Sequence, residues 1–373
     1  MSKATVVFGG PSAEHDISIL TGLQAERILA GAGVEVQCLY WARSDKWFLV
    51  PNSLEARDFL GGEPKGSKAV EFRLGASKGD GFYLPGGLGG GKLLETGPVL
   101  NCFHGGAGEA GGIQWLFQLA GLKVTSGDPG AAALGMDKLA FGAVMLEAGL
   151  PSLRRELLSA HTPPSFDGPY IVKPRAGGSS IGIEVVEDHQ TALALLQTSP
   201  HLRGGAVVEP YRPDLFDLNI SVRTAPELLV SDIERPLRPE DGSIYDYGAK
   251  YVHAEGLSAA PREFPAQLPS VLTARIKELA ARVVELTALT GIIRIDFLSD
   301  GKEEVYVNEV NAPPGALALY LWPDTPTADI LVAALEEAER HVPQVTRNYE
   351  EGVALRAAGG IAGKLAGLPT NRS

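Results

Sequence analysis

The chain has 373 residues, enough for two or three domains and an ample buried core. Its 45% apolar and 21% charged residues are ordinary for a soluble globular protein, and a net charge of −12 spread along the chain argues against a nucleic-acid or anionic-membrane partner. No stretch approaches a membrane span and Met1 to Thr5 runs straight into a strand, so the expected compartment is the cytoplasm.

The first region alternates strand and helix. Thr5–Phe8 reads as a strand, Ile17, Leu20 and Ile28 mark a helix, and Val34–Tyr40 reads as a second strand. A glycine-dense excursion follows, with surface loops expected at 61–66 and 75–91, and then a strand at Pro98–Phe103, a helix over 111–120 and a strand at Lys123–Thr125. This rhythm predicts a parallel sheet covered by helices, a half-Rossmann-like α/β domain over residues 1–126. Cys38 and Cys102 lie in apolar runs without a CxxC pair and are expected to be small core residues.

Met136-Asp137-Lys138 opens a helix running to Gly149. Strands at Tyr170–Lys173, Ile181–Val186 and Ala206–Glu209, with a helix through Ala192–Leu196, predict a small α+β lobe over 127–209. The remainder, 210–373, has strands near Leu218–Arg223 and Leu228–Glu234. In the helix after them, Leu272, Ile276, Leu279, Val283 and Leu286 form an apolar stripe. The last twenty or so residues are small and weakly patterned, as expected of a loosely docked tail.

Period-2 alternation in GIIRIDFLSDGKEEVYVNEVN predicts a hairpin carrying Asp296, Glu309 and Asn311. These are hard oxygen donors of the kind Mg²⁺ accepts beside substrate phosphates. The same pattern also describes a solvated hairpin. A tight Asp300-Gly301 turn places Asp296 opposite Val305, whereas pairing it with Glu309 needs a longer loop centred near Lys302–Glu303.

Four further segments carry chemistry. GGPSAEH (Gly9–His15) opens the first helix, where Glu14 is either a ligand or a first-turn acid complementing the helix dipole; without G-x-G-x-x-G a nicotinamide site is weakly supported. His104, followed by GGAGE to Glu109, sits at a strand's carboxyl end, where ligands of open α/β sheets gather. Lys173 is followed by a Gly/Ser loop containing Ser179, which is not a P-loop but offers N–H groups and hydroxyls to phosphate, or is simply a hairpin loop. Tyr245 to Tyr251, with Lys250, has no apolar periodicity and suits either local packing or a closing lid.

In this order the motifs GGPSAEH, HGGAGEAGGIQ, MDK, KP…GGSSIG, and YDYGAKY followed by RIDF…NEVNAPPG resemble the D-alanine–D-alanine ligases of the ATP-grasp superfamily, over about residues 5–335. The resemblance implies an N-terminal α/β (pre-ATP-grasp) domain followed by a two-lobed α+β ATP-grasp fold. The implied activity is ATP-dependent joining of two D-alanines through an acyl phosphate, for peptidoglycan precursor synthesis. It implies ATP and two Mg²⁺ ions, replaceable by Mn²⁺, and a homodimer.

Residue by residue, it places Lys138, Lys173 and Lys250 at the phosphates, Glu209 at the adenine hinge and Asp217, where the family has Glu, at the ribose. Asp296, Glu309 and Asn311 would hold the metal ions. Glu14 would take the first ammonium, linked through Ser179 and Tyr251, and His104 would lie by the first carboxylate. Arg294 and the Gly315 N–H would stabilise the tetrahedral oxyanion.

The chain departs from the family at Ala312, usually Thr, at Gly248, usually Glu, and at Tyr320 and Trp322, where a serine generally binds the acceptor carboxylate. Tyr320 is expected to bind the acceptor and alter its choice; the alternative is that it points into the core and leaves the acceptor carboxylate to a neighbouring backbone N–H and Lys250. An ATP-grasp carboxylase acting on bicarbonate would leave Glu14, Ser179 and Tyr251 without a role, and a non-catalytic nucleotide-binding regulator would be expected to lose the metal ligands, which are all present.

Overall fold

A computed structural model describes residues 1–87, 90–237, 261–342, 355–356 and 360–366. The chain divides into two units, Met1–His341 and Val342–Ser373; the described part of the second contains a helix, Gly360–Leu365. Among the described residues no helix is long and apolar enough to cross a membrane.

The first unit is built on three sheets. The first comprises β1 (Lys3–Gly9), β2 (Glu35–Trp41), β3 (Trp47–Val50), β4 (Lys68–Arg73), β5 (Gly81–Pro85), β6 (Gly91–Leu93) and β7 (Val99–Asn101), in the order β6-β5-β4-β3-β2-β1-β7. Only β2-β1-β7 is parallel. The expected all-parallel sheet is therefore corrected to a mixed one. The excursion after β2 returns as four antiparallel strands, and β5 and β6 lie in or beside the stretch expected to be loop. The continuous apolar run of β1, buried from Ala4 to Gly9, marks a strand covered on both faces. The helices α1 (His15–Gly31), α2 (Gly106–Glu109) and α3 (Gly112–Leu119) belong to this region. Both cysteines are buried and unpaired in the core.

Next come α4 (Pro129–Met136), absent from the sequence expectations, and α5 (Lys138–Glu147). Asp137 starts α5 by accepting the N–H groups of Leu139 and Ala140, and it also takes a two-pronged contact from Arg175 at 2.6–3.0 Å. One aspartate thus fixes the start of α5 against the chain that follows Lys173. The second sheet contains β8 (Glu156–Leu157), β9 (Tyr170–Pro174), β10 (Glu184–Val186) and β11 (Ala206–Pro210), in the antiparallel order β10-β9-β11-β8, with α6 (His189–Thr198) against it.

The third sheet orders β14-β13-β12-β15-β16, from β12 (Phe216–Arg223), β13 (Leu229–Pro236), β14 (Arg262–Glu263), β15 (Ile292–Ser299) and β16 (Val305–Asn311). Alternation divides it sharply. Leu218, Ile220, Val222, Ile293, Ile295 and Phe297 are buried together with residues of α7 (Ser270–Thr287), each contributing about 1.5–3 kcal/mol by burial. The opposite face is left to Asp217, Asn219, Arg294 and Asp296. The buried stripe of α7 runs 272-276-280-283-287; Leu286, expected in it, is exposed. A turn at Gly315–Leu321 and α8 (Thr327–Arg340) then pack back on the first sheet.

Candidate active site

The polar face of the third sheet, the β9–β10 connection and the strand ends of the first sheet close around a cavity of about 220 Å³. Among the site residues that the sequence singles out, Glu14, His104, Lys138, Lys173, Ser179, Glu209, Asp217, Arg294, Asp296, Glu309, Asn311, Gly315 and Tyr320 all line it. Lys250 and Tyr251 lie outside the described residues, as does Gly248.

On β15 and β16, Asp296 pairs directly with Glu309. The tight-turn alternative is thereby excluded: Ser299 pairs with Val305 across a five-residue loop, and a bulge between Asp296 and Phe297 shifts the ladder by one. The bulge brings Glu309 onto the face of Asp296, and Asn308, Glu309, Val310 and Asn311 line the cavity in succession, which strict alternation does not give. Arg294 grips Asp296 through Nε at 2.6 Å and Nη2 at 2.8 Å, and the Asn311 amide donates to Asp296 Oδ2 at 3.2 Å. Among the described residues no three His, Cys, Asp or Glu side chains converge as metal ligands. The donor set is two opposed carboxylates and an amide, which fits a hard cation that takes its remaining oxygens from a phosphate ligand.

A row of buried charges backs this face. Glu209 is fully buried and receives Lys173 Nζ at 2.9 Å and Arg155 Nε at 2.8 Å. Burial alone would raise its carboxyl, but Lys173 and Arg155 hold it below the ordinary value. Asn308 Oδ1 also accepts from Arg155 at 3.1 Å, so the bulged residue ties the third sheet to the second. Lys138 Nζ donates to Gly177 O at 2.6 Å and lies 3.5 Å from Glu309 Oε2. The two lysines thus approach one volume from α5 and β9.

At the other end, Ser179 Oγ donates to Glu14 Oε1. Close approach to that carboxylate demands glycine. A Cβ at Gly105, where φ is +66°, would sit 2.7 Å from Glu14 Oε2, and one at Gly178 would sit 3.2 Å from both oxygens. Ser12 Oγ donates to His104 O at 2.6 Å and accepts the Glu14 N–H at 3.2 Å, locking the first-sheet strand ends together. His104 is buried, with Nε2 2.9 Å from Thr21 Oγ1. Burial and the Arg294 charge push it down to about 4, so the ring is neutral at pH 7.

Several residues in and behind the cavity carry no assignment from the sequence. Glu109 accepts the Gly105 N–H at 2.7 Å and is pushed up to about 8 by burial and by the neighbouring Glu14 carboxylate. It stood within a recognised motif without a role. Arg155 stands in no motif, and its partner is distant in sequence. Asn219, Glu234 and Arg262 become neighbours only through sheet pairing, as Asn219 lies opposite both Glu234 and Asp296.

The Gly315–Leu321 turn is unusual in its backbone. Ala316, Leu317 and Ala318 have φ of 49°, 52° and 48°, left-handed in succession. Such a conformation costs roughly 1–2 kcal/mol per residue, offset here by burial of Leu317, Leu319 and Leu321. Trp322 is buried and donates its indole N–H to Ser221 Oγ at 3.1 Å, anchoring the turn. Tyr320 is half-buried and faces the cavity; Trp322, the other aromatic expected in this segment, does not line it.

A family model described as the D-ala D-ala ligase N-terminus matches residues 3–127, and one described as the D-ala D-ala ligase C-terminus matches 132–329. The chain is 30% identical over 320 residues to a D-alanine–D-alanine ligase of Campylobacter concisus, covering 86% of this chain and 88% of that one. It is 28% identical over 333 residues to the Thermosipho africanus D-alanine–D-alanine ligase, with 86% and 88% covered. Among solved structures, the Helicobacter pylori D-alanine-D-alanine ligase matches with a TM-score of 0.70 at 23% identity, covering 93% of this chain and 100% of that one. The VanG D-Ala:D-Ser ligase of Enterococcus faecalis matches with a TM-score of 0.71 at 21% identity, covering 90% and 99%. At these identities the structural likeness concerns the fold, which is the ATP-grasp fold behind an N-terminal domain with a mixed sheet. The chain belongs to the D-alanine–D-alanine ligase family and is an ATP-dependent ligase.

Proposed function

We propose that the chain joins two D-alanines, with ATP phosphorylating the carboxylate of the first and the amine of the second attacking the acyl phosphate. The observation that carries this reading is the convergence, in one cavity, of an ammonium-type site at Glu14–Ser179 and a phosphate-type site at Lys138, Lys173, Asp296 and Glu309. A ligase needs both within reach of one carboxylate; a nucleotide-binding regulator needs only the second.

In this reading the ammonium of the first D-alanine sits on Glu14, whose carboxylate Ser179 orients. Neutral His104 lies by the carboxylate of that substrate. Lys138 and Lys173 bind the ATP phosphates, with Glu209 fixing Lys173 at the hinge and Asp217 at the ribose. Asp296, Glu309 and Asn311 would hold Mg²⁺, two ions or Mn²⁺ in their place, which when bound neutralises charge at the transferring phosphoryl group. Arg294 and the Gly315 N–H face the oxyanion of the tetrahedral intermediate, which then expels phosphate. Lys250 and Tyr251, outside the described residues, would by the family resemblance serve the γ-phosphate and the exclusion of water from the acyl phosphate.

The three lobes 1–126, 127–209 and 210–373 would then serve the first substrate, the nucleotide, and the metal with the acceptor. As a source of peptidoglycan precursor it would act in the cytoplasm, as a homodimer. Phosphate release with Mg-ATP, measured against D- and L-amino acids singly and in pairs, tests the reading. Release that depends on D-alanine supports it, and equal release with L-amino acids or with none overturns it. A second reading, a changed acceptor, is favoured by Tyr320 standing in the cavity in place of a small hydroxyl.

A further inference from the structure

Within the Gly315–Leu321 turn, Leu317, Ala318, Leu319 and Leu321 are all buried in the core, while Gly315 and, at the far end, Tyr320 line the cavity. The strained backbone thus places the Tyr320 ring as the one large side chain of the turn at the cavity. Its hydroxyl lies in the field of Arg294, and burial keeps it protonated. Over the same ring lies the guanidinium of Arg262, with Cζ 4.9 Å from the centroid. Arg262 is held by buried Glu234, 3.3 Å from Nη1, and Glu234 is itself fixed by Asn219 Nδ2 at 3.2 Å.

The other described cations of the cavity have different commitments. Lys138 lies on Glu309 and Lys173 on Glu209, while Arg294 meets Asp296 through two nitrogens. Arg212 lies at the exposed rim, between Asp214 and Glu304. Arg262 meets its carboxylate through one nitrogen only, and a guanidinium has five N–H donors in a planar fork suited to carboxylates. A ligase that joins two amino acids must hold a second carboxylate, beside the oxyanion position yet away from the phosphates. Arg262 belongs to β14, at the edge of the third sheet opposite β16, whereas Lys138 and Lys173 reach that sheet at Glu309 and Asn308 of β16.

We propose that Arg262 and the Tyr320 hydroxyl together bind the carboxylate of the acceptor, selecting a small D-amino acid with a free α-carboxylate. This rests on the ligase reading above. Arg262 supplies the charge and Glu234 sets its direction. The Tyr320 ring occupies space that a larger acceptor side chain would need.

The test is a competition in the full-length protein with Mg-ATP, using D-alanine as donor and equal D-alanine and D-alaninamide as acceptors. The amide has the nucleophilic amine but no carboxylate, so it reports attack without the proposed contact. Mass spectrometry of the two products gives the acceptor ratio. The wild type is expected to favour D-alanine strongly, and Arg262→Met to lower that ratio by roughly 10–100-fold, the worth of a hydrogen bond to a charged group. Arg262→Lys should recover part of it, and Tyr320→Phe, which keeps the ring, should lower it by about 5–10-fold. A loss of both products in equal proportion, with the ratio unchanged in Arg262→Met and Tyr320→Phe, overturns the proposal and leaves Arg262 a structural residue. If the wild type releases no phosphate with D-alanine, the ligase reading itself fails, and that result is in hand before any variant is made.

Discussion

Asp296 faces Glu309 because the strand between Val307 and Glu309 bulges by one residue, Asn308. Without that shift Asp296 would face Asn308, and the two carboxylates would be displaced along the strands. The bulged residue is tied to Arg155 through both its carbonyl and its side chain. The alignment of the cation site is therefore coupled to the second sheet.

Glu309→Gln should abolish ligation while ATP binding persists in weakened form. The substitution keeps the shape and removes the anionic charge that a divalent cation needs. Calorimetric ATP titration beside a product assay checks both halves. Near-normal turnover would contradict the assignment.

Arg294→Met should lower kcat by about 10²–10³, with a much smaller change in ATP affinity, as for removal of one oxyanion donor. Steady-state kinetics separates the two. Turnover unchanged beside a large loss of ATP affinity would reassign Arg294 to phosphate binding.

Arg155→Met should destabilise the fold by about 3–5 kcal/mol, since it leaves the fully buried Glu209 with Lys173 as its remaining cation. Denaturant unfolding of variant and wild type measures this. A loss below about 1 kcal/mol would mean that the Arg155–Glu209 pair does not stabilise the fold as a buried ion pair.

The same particulars show what was legible in the sequence. The hairpin, its ligand-type residues and the Gly/Ser loop announce themselves by alternation and by local motifs. The bulge leaves only a slip of phase, since Val305 and Val307 are followed by Val310 and not by an apolar 309, and a two-residue polar step is also what a ligand-bearing strand end shows. Arg155 and Glu209 meet across 54 residues, a pairing no local pattern encodes. The mixed first sheet is hidden because glycine density in the excursion resembles loop, although β4 and β5 pair there. The left-handed turn is carried by Ala-Leu-Ala, residue types that do not prefer positive φ, so tertiary burial and not propensity sets it.

His104 gives a pH prediction. Its folded value of about 4 lies below the ordinary 6.5, so between these values the unfolded chain binds the extra proton. Its contribution is complete above pH 6.5 and is lost as pH falls toward 4, on the order of 3 kcal/mol in all. Glu109, pushed up to about 8, acts in the opposite sense, so the comparison must be made against wild type. His104→Asn should gain stability relative to wild type as pH drops from 7 to 4.5. Stability curves that stay parallel over that range would show that His104 does not titrate as described.

The central claim is that a D-alanine carboxylate is activated by phosphorylation in the cavity between Glu14 and Lys138. Carboxylate-¹⁸O-labelled D-alanine, turned over with Mg-ATP, tests it most directly. An acyl phosphate expelled from a tetrahedral intermediate carries one donor oxygen away, so one ¹⁸O should appear in inorganic phosphate for each dipeptide formed. Phosphate free of ¹⁸O, with dipeptide accumulating at the same rate, would contradict the account.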